Sequence, residues 1–212
     1  MVFTDRQEAG RRLAEVLSRF QGQDVVVLGI PRGGVEVAAI VAESLGVPLD
    51  VVIPRKVGAP GNPELGLGAV AEGVQVLDES LIRVLGVSER YLREEIAAQE
   101  QEIRRRSALY RQNRPSVPLQ GRVAIVVDDG IATGGTAAAA ARWARAQGAA
   151  KVVLAAPVAP RDALRRLARE ADEVVVLETP EPFYAVGQWY LDFPQVPDER
   201  VIDLLARASD RG

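Results

Sequence analysis

Four short runs of almost uninterrupted apolar residues, at 25–28, 123–127, 152–156 and 174–177, constrain this chain more than any other feature. A strand with one face in water alternates apolar and polar side chains. A run that is apolar at every position needs cover on both faces, as in a parallel sheet flanked by helices. Segments of helical period lie between these runs, so the chain alternates strand and helix. The expectation is an α/β fold with a doubly wound, mainly parallel sheet, in which ligands bind beyond the carboxyl ends of the strands.

The rest of the chain fills in that frame. An opening helix carries Leu13, Val16, Leu17 and Phe20 on one stripe, with Thr4 as its N-cap and Gln7 in capping-box spacing. A strand over 24–30, a helix over 35–45 and a second strand over 49–53 form the first βαβ unit. From 54 to 73 glycine and proline interrupt every pattern, which reads as a long functional loop holding a short hairpin. Residues 78–114 read as two helices broken at Gly86–Val87–Ser88, their Glu and Arg clusters forming a solvated surface. Helices over 136–147 and 161–170 separate the later strands. The whole chain, 1–212, is expected to be one domain with a helical insertion at about 78–115.

Composition removes whole classes of chemistry. With no Cys and no His there is no disulfide, no thiolate nucleophile, no Ser–His pair and no Cys/His zinc site. A metal here has to be a hard, oxygen-bound ion such as Mg²⁺. A net charge of −3 argues against nucleic-acid or membrane-surface binding. No apolar run approaches the roughly 20 residues of a membrane span. The polar first residues lack a signal-peptide core, so a cytoplasmic protein is expected.

The chemistry concentrates in Asp128-Asp129-Gly-Ile-Ala132-Thr133-Gly134-Gly135-Thr136, at the end of one apolar run and the start of a helix. Adjacent carboxylates there repel one another unless a ligand uses them. The hydroxyls of Thr133 and Thr136 and successive backbone N–H groups beside a helix N-terminus suit a phosphate. Gly134 and Gly135 permit close backbone approach. One loop therefore offers hydroxyl-accepting carboxylates beside a monoester-phosphate cradle, a combination that fits a ribose 5-phosphate. The segment has neither the Gly-x-Gly-x-x-Gly of dinucleotide folds nor the Gly-Lys-Ser/Thr of a P-loop.

This segment resembles the PRPP-binding motif of the type I phosphoribosyltransferases. The resemblance implies Asp128 and Asp129 on the ribose 2′- and 3′-hydroxyls and Ala132 to Thr136 around the 5-phosphate. It implies a pyrophosphate loop at Arg32-Gly33-Gly34, with a non-proline cis peptide near Arg32. Arg55 and Lys56, ending the second strand, would reach pyrophosphate, and the following loop would close over the site. Lys56 is one of only two lysines among 26 basic residues. Mg²⁺ would be held mainly by PRPP, with Asp128 as a further ligand.

The 6-oxopurine members carry a third carboxylate where this chain has Ala132, so guanine and hypoxanthine are disfavoured. A base for the acceptor proton would come from Glu64 or Glu72 on the lid. Phe183, Tyr184, Trp189, Tyr190 and Phe193 place five of the ten aromatic residues in one short stretch. That stretch is expected to form a hood, at about 180–200, whose Tyr184, Trp189 and Tyr190 stack on an acceptor; a small satellite core is the other reading. The loop from Val57 to Gly73 also resembles a group of phosphoribosyltransferase-like proteins over most of the chain, which names no acceptor. The resemblance thus implies a Mg²⁺-dependent enzyme, with PRPP and a small nitrogenous acceptor as partners and a homodimeric assembly. A PRPP-binding regulator without turnover is the alternative.

Overall fold

The computed structural model describes residues 2–210. Its centre is a five-stranded parallel sheet in the order β2-β1-β6-β7-β8, built from β1 (Val25–Gly29), β2 (Leu49–Val51), β6 (Val123–Val127), β7 (Lys151–Val158) and β8 (Glu173–Glu178). All four apolar runs lie in it. Successive side chains project to opposite faces. Val25, Val27, Ile125 and Val127 therefore pack with helices α1 (Arg6–Leu17), α2 (Gly33–Leu45), α4 (Glu89–Arg111) and α7 (Asp198–Ser209). Val26, Leu28, Ala124 and Val126 pack on the other face with α5 (Gly135–Ala146) and α6 (Arg161–Leu167). Two-sided burial explains why the runs in β1, β6 and β7 lack polar alternation; β8, at the sheet edge, is mostly only half-buried.

Four expectations need correction. The N-cap of α1 is Asp5, which accepts from the Glu8 amide at 2.8 Å, while Glu8 Oε2 accepts from the Thr4 amide at 2.7 Å. The cap thus sits one residue further along, and Glu8 reaches back to the amide before it, Thr4, instead of to the N-cap amide that a capping box uses. The stretch read as a long loop with a short hairpin does contain the hairpin, but as part of a three-stranded antiparallel sheet, β3 (Arg55–Ala59), β4 (Asn62–Ala71) and β5 (Val74–Leu77). Glycine is used inside it for packing. At Gly68, with φ +145°, a Cβ would lie 2.1 Å from the Val76 carbonyl oxygen. The second strand ends at Val51, so Arg55 and Lys56 open the hairpin sheet instead of ending β2. Helix α7 was not foreseen, although Val201 and Leu205 repeat at helical spacing after Pro197.

The insertion does break into α3 (Glu79–Val84) and α4, with Asp78 and Ser88 capping them. It is more than a solvated surface: Ile96, Ile103 and Tyr110 of α4 are buried. One face of the small sheet packs on α4 through Val57, Leu67 and Val70. The other packs on α5 through Ala69, Ala71 and Val76. Among the described residues no helix is long and apolar enough to cross a membrane.

Candidate active site

The carboxyl ends of β1 and β6 lead into two loops that face each other. After β1, Pro31 and Arg32 are joined by a cis peptide, and α2 begins at Gly33 with no side-chain cap. After β6, Asp128 and Asp129 are followed by the turn into α5, whose N-cap is Gly134 at φ +85°, again with no side-chain cap. Of the other α-helices, α1, α3 and α4 are capped by Asp5, Asp78 and Ser88, while α6 and α7 follow Pro160 and Pro197 without a side-chain cap. Uncapped first turns leave amides and the positive end of the helix dipole available to an anion. Ala132 and Thr133 are exposed, and Gly135 and Thr136 half-buried, so the α5 cradle is open.

The two loops touch through glycine. A Cβ on Gly33 would lie 2.0 Å from Asp129 Oδ2 and 2.8 Å from Arg6 Nε. On Gly34 it would lie 2.9 Å from the Cα and Oδ1 of Asp128. These glycines thus let the start of α2 pack against the carboxylate pair, beyond freeing their own amides. Gly33→Ala is expected to cost about 1–3 kcal/mol of stability, because Asp129 and Arg6 must both move. Thermal unfolding reads the cost, and a wild-type melting temperature would show that the contact is slack.

The carboxylates differ in their surroundings. Asp129 accepts from Arg6 Nε at 2.8 Å. Asp128 accepts from the Asp129 amide at 2.8 Å and has no cationic hydrogen-bond partner among the described residues. Burial, and then the neighbouring Asp129 charge, push the Asp128 carboxyl well above the ordinary carboxylate range. The pair is therefore set up with one oxyanion held by a guanidinium and one acid that a ligand has to stabilise.

Arg6 was not singled out in the sequence, and it organises the site. Its guanidinium also donates to the Pro194 carbonyl at 2.7 Å and lies 3.9 Å from the centre of the Phe193 ring. Phe193 stacks on Tyr190 at 4.8 Å, and Tyr190 meets Phe3 at 5.5 Å. The Tyr190 hydroxyl donates to the Asp129 carbonyl at 2.5 Å. Tyr190 is only 6% exposed. It cannot stack on an acceptor as expected, and it braces Asp129 instead. Burial raises the Tyr190 phenol far above its ordinary range, so it stays a donor. Tyr184 is 81% exposed, and Trp189 stacks on Phe183 at 6.2 Å with its indole N–H buried and unpartnered. The aromatic stretch is mostly a satellite core.

The basic residues fall into two places. Arg32 Nη1 lies 3.9 Å from Asp198 Oδ1, which also accepts from the Tyr110 hydroxyl at 2.7 Å. Burial and that carboxylate push the Tyr110 phenol up to about 12. Arg55 projects to the α4 side, donating to Gln99 Oε1 at 2.9 Å, with Arg106 close enough to depress its pKa further after burial. Lys56, its neighbour on β3, projects to the opposite face and pairs with Glu64 at 3.5 Å. The two residues expected to act together are therefore separated by the strand between them. Glu64 is almost fully exposed. Glu72 lies beside Trp143, about 12 Å along α5 from its cradle end, and so stands away from the phosphate loop.

Fold and site together define a doubly wound α/β domain with a carboxylate pair and two open helix N-termini at the strand ends. A family model described as the phosphoribosyl transferase domain matches residues 4–193, and the chain belongs to that family. A Mycobacterium tuberculosis protein provisionally named a phosphoribosyl transferase is 50% identical over 98% of this chain. The match covers 47% of that protein, so the chain spans about half the length of the curated relatives it matches. The crystal structure of TT1426 from Thermus thermophilus superimposes with a TM-score of 0.83 at 48% identity, over 98% of this chain and 99% of that one.

Proposed function

We propose that this domain moves the phosphoribosyl group of PRPP to a nitrogenous, heterocyclic acceptor with release of pyrophosphate. The observation that carries the reading is the meeting of Asp128 and Asp129 with two uncapped helix N-termini opened by glycine. In it, the carboxylates accept from the ribose hydroxyls, and the α5 amides and Thr133 and Thr136 take the 5-phosphate. The α2 amides and Arg32 take the diphosphate, with Arg55 approaching from the α4 side. Glu64, held by Lys56, is assigned to the acceptor proton, and the exposed Tyr184, with Trp189 on the same segment, to the acceptor. Catalysis rests on orienting the acceptor and stabilising charge on the leaving group.

The donor set fits Mg²⁺ in a particular way. Carboxylate oxygens suit a hard cation, but no group of three candidate ligands occurs among the described residues. Asp128 would be its protein ligand, and PRPP oxygens and water would complete the shell. When bound, the ion supplies positive charge to the diphosphate. The family resemblance also brings a homodimer and a cytosolic setting into this reading.

One observation favours a second reading, a PRPP-binding regulator: Arg55 and Lys56 do not converge. Titrating PRPP with Mg²⁺ by calorimetry, then adding a panel of bases under pyrophosphate detection, separates the two. We expect binding, with pyrophosphate released on one base. Binding without release on any base supports the regulator. Absence of binding overturns both.

A further inference from the structure

On the far side of α2 from the carboxylate pair lies a cavity of about 690 Å³, between α2, α7, the β2 edge and the end of α4. Its volume falls in the range of small-molecule sites, roughly 300–1,000 Å³. Ile40, Val47 and Leu204 supply apolar wall. The lining acids are already engaged. Asp50 accepts from Arg111 at 3.0 Å and from the Val51 and Val117 amides, Glu36 pairs with Arg200 at 3.2 Å, and Glu43 has a partner as well.

Arg114 is different. It donates to the Arg111 carbonyl at 3.0 Å, has no carboxylate partner among the described residues, and is only half-buried in the cavity wall. Arg207 stands at the same opening, held by Asp203 at 3.0 Å. Apolar walls under an uncompensated guanidinium suit an oxyanion carried on an apolar body, and arginine matches phosphate geometry well.

We infer that this cavity is a second ligand site, taking a phosphate monoester of mononucleotide size, and that its occupancy is coupled to PRPP binding. A chain of ion pairs supplies the coupling: Glu36, in the cavity wall, lies 4.0 Å from Arg6, which holds Asp129 at 2.8 Å. A ligand that redirects Arg200 changes what Glu36 offers Arg6, and coupling of this kind is reciprocal. The coupling rests on the PRPP reading above; binding in the cavity does not.

The probe is 5′-AMP, with adenosine and inorganic phosphate as controls, added to the full ¹⁵N-labelled chain. The expected result is two groups of shifting amides, one at Thr133 to Thr136 and one around Gly46, Val47 and Ser209. Arg114→Ala should remove the second group and keep the first. PRPP is then titrated calorimetrically into both proteins. Without AMP their affinities should agree; at roughly millimolar AMP they should differ by at least about threefold. Competition at the first site is common to both proteins, so only the cavity can produce that difference.

Shifts confined to Thr133–Thr136, or cavity shifts that adenosine alone reproduces, overturn the site. Cavity amides that respond to protein concentration and not to AMP also overturn it, because a second copy of the chain then covers the surface. Equal PRPP affinities despite cavity binding overturn the coupling alone. If neither protein binds PRPP, the failure lies with the proposed function, and the shifts still decide the site.

Discussion

An Asp128→Asn protein will unfold at a higher temperature than the wild type without ligand, and will bind PRPP far more weakly. Burial and Asp129 both disfavour the Asp128 charge, so its carboxyl titrates well above the ordinary range in the folded state. A raised acid contributes stability that is complete below the unfolded pKa and is lost as pH rises through the folded pKa. Wild-type stability without ligand should therefore decline as pH rises above the ordinary carboxylate range, and the variant should lack that decline. Asparagine keeps the oxygen that accepts from the Asp129 amide. The gain at neutral pH should be about 1–2 kcal/mol, or roughly 2–8 °C in a chain of this size. Loss of a charged acceptor for a ribose hydroxyl should cost about 1.5–3 kcal/mol, roughly 10- to 150-fold in affinity. Scanning fluorimetry from about pH 4 to about pH 8 tests the first part. Parallel pH profiles for the two proteins would mean that Asp128 is not strained by its surroundings.

Arg6→Ala acts in the opposite direction. Arg6 is 6% exposed and touches Asp129, the Pro194 carbonyl and the Phe193 ring. Removing one partner of a buried ion pair leaves an uncompensated charge, typically at a cost of about 3–5 kcal/mol. Here two adjacent carboxylates would then face each other without a cation. The melting temperature should fall by roughly 6–20 °C, and PRPP binding should weaken because Asp129 is no longer oriented. Arg6→Lys restores the charge but cannot hold Asp129 and Pro194 with one planar fork. It should recover part of the stability and less of the affinity. Should Arg6→Ala melt within a degree or two of the wild type, the pair would be structurally idle.

Four of the five parallel strands were legible because burial in the sheet leaves a plain mark, a run of apolar positions; β2, with the buried Asp50 at its centre, lacks that mark and was placed by the strand–helix–strand pattern. The Asp128–Thr136 loop was conspicuous because its carboxylates, hydroxyls and glycines are contiguous. The small sheet was hidden by its own packing, since glycines at 58, 66 and 68 remove both the apolar alternation and the β propensity that mark a strand. Arg55 and Lys56 were adjacent in sequence and were read as one unit; strand alternation sends them to opposite faces. Arg6 left no signal, as one of many arginines in a polar helix, 123 residues from the aspartate it holds. Tyr190 stood out for its ring, whereas its hydroxyl, the stacked Phe193 and the tilted Phe3 determine its place.

Phe3 exchanges backbone hydrogen bonds with Trp189 and Leu191, so a segment near the start of the chain is stitched to one near its end directly behind Asp129. The site thus resembles a clasp: Asp129 sits on one half, and its brace at Tyr190, 61 residues along the chain, sits with Phe193 and Pro194 on the other. The setting of the carboxylate pair is therefore a property of the whole fold, shared between segments that the sequence keeps far apart.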